Sequence, residues 1–164
     1  MTYNKAQHDS ETLAEGQQVF TACACIWREE NGVKQVFLAR RADTKKFLPG
    51  VWELPGGHID YGEDMRKGLA REVQEEFGMS INVSDVLDVF TYINEVKKSH
   101  SIEVIYMAQF TDPLENIQTN PEDHSTYGWF SEAELLQTFV SPKDERDPEI
   151  IAIRKGFARL KAEA

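Results

Sequence analysis

The spacing of apolar side chains changes several times along this chain, and each change marks an element. Val19 to Trp27, VFTACACIW, is a β-type run. Asn31-Gly32 is a hairpin turn signal, and Val33 to Ala39 return as a second strand. RRADTKKFLPGVWELPGG is a Pro- and Gly-rich loop broken by a short extended piece at Val51 to Leu54. From Glu63 to Phe77 the period becomes helical, with Met65, Leu69, Val73 and Phe77 at every fourth residue, no proline, and Gly78 to end the helix in a left-handed conformation. Ile81 to Val96 holds one or two strands and Ser101 to Phe110 another, with Lys97-Lys98 in the turn between them.

After a polar loop from Asp112 to Asp123, Tyr127 to Phe130 lead into Ser131-Glu-Ala-Glu134, a capping box that opens a short helix over Glu132 to Phe139. Asp147 caps a last helix with Pro148 in its first turn. Its stripe of Ile150, Ile153, Phe157 and Leu160 covers one face of the sheet or, as the rival use, a dimer contact. Strands on both sides of a central helix, with another helix at the end, predict an α/β (α+β) chain in which a mixed β-sheet is sandwiched by helices. Residues 1–16 read as a flexible N-terminal arm and 17–164 as a single domain.

Charge narrows the partners. Eighteen Lys and Arg against 28 Asp and Glu give a formal net charge of −10, which argues against a nucleic-acid binder or a polybasic membrane contact. No apolar run reaches the roughly 20 residues that span a bilayer, and the polar, acidic start is unlike a signal peptide. The expectation is a cytoplasmic protein, monomer or homodimer. Cys23 and Cys25, two apart on one strand, read as buried reduced thiols.

Chemistry concentrates in residues 56–79, GGHIDYGEDMRKGLAREVQEEFGM. On a helix, Glu72, Glu75 and Glu76 fall within an arc of roughly 100°. Carboxylates crowded on one face repel and raise one another's pKa unless a cation or Arg71 shares the space. Carboxylate oxygens are also what Mg²⁺ prefers, alongside substrate phosphates. The spacing of Gly57, Glu63, Arg71, Glu72, Val73, Glu75, Glu76, Gly78 and Met79 matches G-x5-E-x7-R-E-U-x-E-E-x-G-U, with U apolar, at every position. It resembles the box of the Nudix hydrolases.

The resemblance implies the Nudix fold and divalent-metal-dependent hydrolysis, with Mg²⁺ or Mn²⁺, of a nucleoside diphosphate linked to another group. By the same likeness Glu72, Glu75 and Glu76, with the carbonyl of Gly56, correspond to metal ligands, Arg71 to the arginine that orients the glutamates, and Glu63 to a structural position. The general base is a box glutamate, Glu75 first, or else Asp123 or Glu122 in the later segment PEDHSTYGWF, or a water on a second metal. Arg40 and Arg41 are candidate phosphate contacts; as strand neighbours they point oppositely, so at most one serves. Trp52 reads as core, and His58, His100 and His124 as surface or loop residues. The stretch Tyr92-Ile-Asn-Glu-Val lacks the proline that would suggest ADP-ribose. A tyrosine slightly further on would suggest dinucleoside polyphosphates; Tyr92 falls a little early and stands as a candidate substrate contact. These signs favour a small-molecule nucleotide substrate and a (d)NTP pyrophosphohydrolase. The alternatives are a nucleoside diphosphate-sugar hydrolase, ADP-ribose-like substrates included, and an inactive nucleotide-binding module.

Overall fold

One long strand, β1 (Gln18–Glu30), runs through the centre of the molecule and is shared by every part of its sheet. In the computed structural model, which describes residues 11–138 and 144–164, Gln18 to Ile26 pair in parallel with a strand over Ser99–Phe110. Thr21 to Cys23 pair antiparallel with a short strand over Gly56–His58. Trp27 to Glu30 turn to an antiparallel partner over Val33–Arg41, across a hairpin whose Asn31 and Gly32 both have positive φ. In chain order the strands are β1, β2 (Val33–Arg41), β3 (Trp52–Glu53), β4 (Gly56–His58), β5 (Ile81–Asn94), β6 (Ser99–Phe110) and β7 (His124–Phe130). The main path is β3-β2-β1-β6-β5, with β4 on β1 and β7 on β2. The mixed sheet expected from the sequence is present.

Period-two alternation along β1 and β2 sends side chains to two different cores. Ala22, Ala24, Ile26, Phe37 and Ala39 face α1 (Met65–Phe77), which buries Leu69, Val73 and Phe77 against them. Cys23, Cys25, Val36 and Leu38 face α3 (Pro148–Ala162), whose Ile150, Ile153, Phe157 and Leu160 form the expected stripe, joined by Leu135 of α2 (Glu132–Thr138). Each such side chain contributes roughly 1.5–3 kcal/mol on full burial, so the α/β/α sandwich is held from both faces. Both cysteines are free and buried, and Trp52 packs edge-on against Phe130 at 5.2 Å.

Helix punctuation follows the side chains. Asp64 accepts hydrogen bonds from the N–H groups of Arg66 and Lys67, so α1 begins at Met65 and leaves Glu63 outside it. Gly78 closes α1 at φ 65°, and Asp147 caps α3 through Glu149 and Ile150. The Ser131 N–H and hydroxyl both donate to Glu134 Oε2, at 2.8 and 2.9 Å, which forms the glutamate half of the expected capping box; the expected end of that helix at Phe139 lies outside the described residues.

Two features differ from the sequence reading, and a third settles an alternative it left open. Gly56–His58, expected as loop, is a strand, because Gly56 at φ 148° lets two backbones meet: a Cβ there would lie 2.1 Å from the Ala22 carbonyl oxygen. Ile81–Asn94 is one strand, irregular between Val83 and Asp88. Of the flexible arm expected over 1–16, residues 1–10 lie outside the described residues, whereas residues 11–16 are tied down. The Ala14 N–H donates to the Lys97 carbonyl at 2.8 Å, and the buried Lys97 ammonium donates to the Thr12 carbonyl at 3.0 Å. Among the described residues no helix is long and apolar enough to cross a membrane.

Candidate active site

Glu63, freed from the helix by the Asp64 cap, turns back along α1 and grips Arg71. The guanidinium donates to Glu63 twice, Nε to Oε1 at 2.7 Å and Nη2 to Oε2 at 3.0 Å, and Nη2 also donates to the His58 carbonyl at 3.0 Å. Held so, Nη1 donates to Glu72 Oε1 at 3.1 Å and to Glu75 Oε2 at 3.2 Å. Charge-assisted bonds of this kind are about twice as strong as neutral ones. The carboxylates push the Arg71 pKa up, Glu63 most of all. Arg71 is therefore the hub that orients two glutamates and is itself fixed by a third.

The glutamates sit at one end of a cavity of about 250 Å³, with Gly56, Gly57, Asp123 and His124 in its wall. Burial pushes the Glu72 carboxyl up to about 7 against the opposing pull of Arg71, with Glu75 and Asp123 adding to the rise. Burial raises Glu76 well above the carboxylate range too, abetted by Glu53, Glu72 and Asp123 and opposed by a bond from the Gly56 N–H. Glu72 lies so close over Gly57 that a Cβ there would stand 2.5 Å from its Oε2. Gly56 and its neighbour, the box glycine Gly57, thus have separate reasons: the first admits the β1 backbone, the second admits a carboxylate.

Among the described residues no three His, Cys, Asp or Glu side chains already converge on one point. The donor set nevertheless suits a hard divalent cation. Three carboxylates crowd one end of the cavity, and Glu76 Oε2 is buried with no hydrogen-bond partner. Such a group costs free energy unless something compensates it.

His124 and His58 correct the sequence reading, which put them at the surface. His124 is 2% exposed. It stacks on Phe77 at 5.2 Å, bonds Glu53 Oε1 through Nε2 at 2.9 Å and brings Nδ1 to 3.9 Å from Glu76 Oε2. His58 is buried on β4, where it pairs with Thr21, and His100 is half-buried on β6. The reason is register: β7 begins at His124, opposite Arg41, rather than at Tyr127.

The remaining candidates divide. Asp123 is in the cavity wall, and its Oδ1 receives a bond from the Lys45 ammonium at 2.9 Å. Arg41 is in the wall as well, its Nε donating to the Phe47 carbonyl at 2.9 Å and its Nη1 to Glu53 at 3.2 Å, which makes it a strut of the site. Arg40 points to Asp43 and Ser125 instead. Tyr92 lines the far end, beside Phe47, Glu103 and Thr21. Sequence reasoning missed Lys45, Phe47, Glu53 and Glu103. Only Glu103 carried a signal, as an acidic side chain at the position between Ser101 and Ile105 where the strand alternation calls for an inward residue.

The family model described as NUDIX domain matches residues 18–152. The chain is similar to an RNA pyrophosphohydrolase of Erythrobacter litoralis (strain HTCC2594), 29% identical over 67% of this chain and 76% of the relative. It is also similar to a CTP pyrophosphohydrolase of Escherichia coli (strain K12), 26% identical over 78% of this chain and 85% of the relative. Against an m7GpppN-mRNA hydrolase of Danio rerio, 26% identical over 82% of this chain, it spans 48% of the relative's length. Among solved structures, a MutT NUDIX hydrolase from Burkholderia pseudomallei superposes with a TM-score of 0.64 at 25% identity, covering 85% of this chain and 98% of that one.

Proposed function

Because the chain belongs to the Nudix family of hydrolases, with 18–152 as its matching domain, we propose that it is a nucleoside triphosphate pyrophosphohydrolase, acting on ribo- or deoxynucleotides with Mg²⁺ or Mn²⁺. The observation that carries this reading is a single cavity with two unlike ends. The carboxylates of α1 stand at one end, and two aromatic rings, Phe47 and Tyr92, stand at the other. The first suits a polyphosphate with its cation and the second a nucleoside. The likeness to a CTP pyrophosphohydrolase supports the same substrate class.

Glu72, Glu75, Glu76 and the Gly56 carbonyl would hold the cation, which when bound neutralises phosphate charge and acidifies a water. The chain's own residues do the rest. Arg71 keeps Glu72 and Glu75 aimed into the cavity. His124, anchored on Glu53, stands behind Glu76. Glu75 has the most exposed carboxylate of Arg71's partners, at 59%, and is the base: it takes the proton as a water oxygen attacks phosphorus and the bridging P–O bond breaks. The nucleoside monophosphate and pyrophosphate then separate. Asp123, held by Lys45, ties the segment ahead of β7 to the loop after β2.

The test is a panel of nucleoside triphosphates, nucleoside diphosphate-sugars and dinucleoside polyphosphates with Mg²⁺, resolved by anion exchange. Monophosphate plus pyrophosphate is expected, abolished by EDTA. Turnover confined to diphosphate-sugars would overturn the triphosphate reading, and no turnover at all would leave the inactive binding module.

A further inference from the structure

At the α1 end two buried atoms face each other across a distance too long for a hydrogen bond. Glu76 Oε2 and His124 Nδ1 stand 3.9 Å apart, and neither has a hydrogen-bond partner among the described residues. Glu76 is 8% exposed and His124 2%, and both line the cavity. The other ring nitrogen settles which of the two carries the imidazole proton. Nε2 lies 2.9 Å from Glu53 Oε1. Arg41 Nη1 donates to both oxygens of Glu53, at 3.2 and 3.3 Å, which keeps that carboxylate ionised. An ionised carboxylate only accepts, so Nε2 carries the proton and Nδ1 a lone pair. Phe77, with ring centroids 5.2 Å apart and 22° between planes, fixes the plane of the imidazole. A lone pair and a carboxylate oxygen so placed repel, and burial denies them the water that would compensate each.

We propose that His124 Nδ1 is a nitrogen ligand to the cation, beside Glu76 Oε2, and that it turns the site toward borderline transition metals such as Co²⁺ relative to Mg²⁺, an inference that rests on the α1 end being the cation site. Two donors that each bind one ion at about 2.1 Å can stand at most about 4.2 Å apart, so the observed separation is within reach of a single ion. A cation there removes both penalties at once. The chain Glu53–His124–metal also follows the usual pattern of a ligating histidine, whose distal N–H is held by a carboxylate that fixes the tautomer and raises the basicity of the ligating nitrogen. Carboxylates and carbonyls are hard donors that suit Mg²⁺ and Mn²⁺, whereas imidazole suits softer ions further along the transition series. One nitrogen among the box oxygens therefore changes which metal the site prefers.

The coordination can be read without turnover. The full chain, stripped with EDTA and given substoichiometric Mn²⁺ in the absence of nucleotide, should show the modulation of a directly bound nitrogen in pulsed EPR. His124→Gln should bind Mn²⁺ without that modulation. His58→Gln, which alters the other histidine of the cavity wall among the described residues, should keep it. Calorimetric titration with Co²⁺ and with Mg²⁺ supplies a second readout. The native protein should bind Co²⁺ the more tightly, and His124→Gln should lose at least about tenfold more Co²⁺ affinity than Mg²⁺ affinity, tenfold being the low end for a partner of a metal site. A histidine that only supports Glu76 would weaken both ions equally, and that result would overturn the proposal. So would Mn²⁺ bound with no nitrogen modulation, which leaves the cation site standing and makes His124 a mere neighbour of Glu76. Modulation that survives in His124→Gln, or vanishes in His58→Gln, would overturn it too. If Mn²⁺ does not bind at all, the cation site and the part of His124 in it fall together, whatever the nucleotide panel shows. Circular dichroism checks folding. Should His124→Gln misfold, the native and His58→Gln spectra decide between the two histidines.

Discussion

The two ends of the cavity are built on opposite plans. At the α1 end the carboxylates and the arginine that orients them come from one short segment, Gly56 to Glu76, and their contacts are local: Arg71 to Glu63, Glu72 and Glu75. At the far end the contacts join distant parts of the chain. Thr21 meets Glu103 across 82 residues, and Phe47 stacks on Tyr92 from another loop. The first end is set by helix geometry and can be specified by spacing alone; the second exists only once the sheet has its register. Local wiring suits chemistry that must not vary. A wall assembled from separate strands can change one residue at a time without touching the hub.

That contrast can be broken most decisively at Glu76. Glu76→Gln removes a buried negative charge from the end that receives the cation, a contribution of several kcal/mol. Activity should fall by about 10³ or more at a tenfold loss per 1.36 kcal/mol, while the circular dichroism spectrum is unchanged. Near-native turnover at limiting Mg²⁺ would mean that the local end is not where the metal acts.

Next in size is the base. Glu75→Gln should cost about 10²–10⁴ in kcat, and Asp123→Asn much less, its carboxylate serving to tie the segment before β7 to Lys45. Both are measured at saturating Mg²⁺, since raising the metal rescues a lost ligand but not a lost base. The reverse ranking would move the proton transfer to the segment before Trp129.

A smaller effect is expected at His124, which belongs to neither plan alone, since it arrives on β7 yet stands behind Glu76. His124→Gln should weaken apparent Mg²⁺ affinity by about 10–100-fold, the usual cost of losing a group that orients a ligand, with kcat recovering at high metal. Unchanged Mg²⁺ dependence would show that Glu76 needs no such support.

The smallest effect is one of stability. Burial lifts Glu72 to about 7 and Glu76 well above its ordinary range. A carboxyl whose pKa is raised in the folded state stabilises the fold fully below its unfolded value, near 4.3, and that stabilisation is lost as pH climbs through the folded value. In EDTA the melting temperature should therefore decline between pH 5 and 8, by on the order of 2–4 °C for each kcal/mol lost. Added Mg²⁺ should restore more at pH 8 than at pH 5, because the ligands must shed protons to bind it. Glu72→Gln should flatten the slope, and a scan with no slope in either form would argue that neither carboxyl is protonated on folding.

The legibility of the molecule follows the same division. The α1 helix, its Gly78 stop, the Asn31-Gly32 hairpin and the α3 stripe depend on neighbours in sequence, and spacing reveals them. The box glutamates were equally visible. His124 was not, since DHSTYGW looks like loop until β7 pairs with β2 and draws His124 over Phe77. Glu53 and Lys45 gained their roles from partners far along the chain, His124 and Asp123. β4 was missed for a related reason: two glycines beside a proline read as turn, and only the close approach of β1 makes them strand. The tie from Thr12 and Ala14 to Lys97 leaves no local trace either.

β1 also has a genetic consequence. Thr21 and Cys23 face the cavity while Ala22 and Ala24 face α1. A strand keeps that assignment only while its register holds. One inserted codon ahead of Thr21 would swap the two sets, turning small apolar residues toward Glu103 and polar ones toward the packed face of Leu69 and Val73. Lineages descended from this chain should accordingly show no length changes between Gln18 and Ile26.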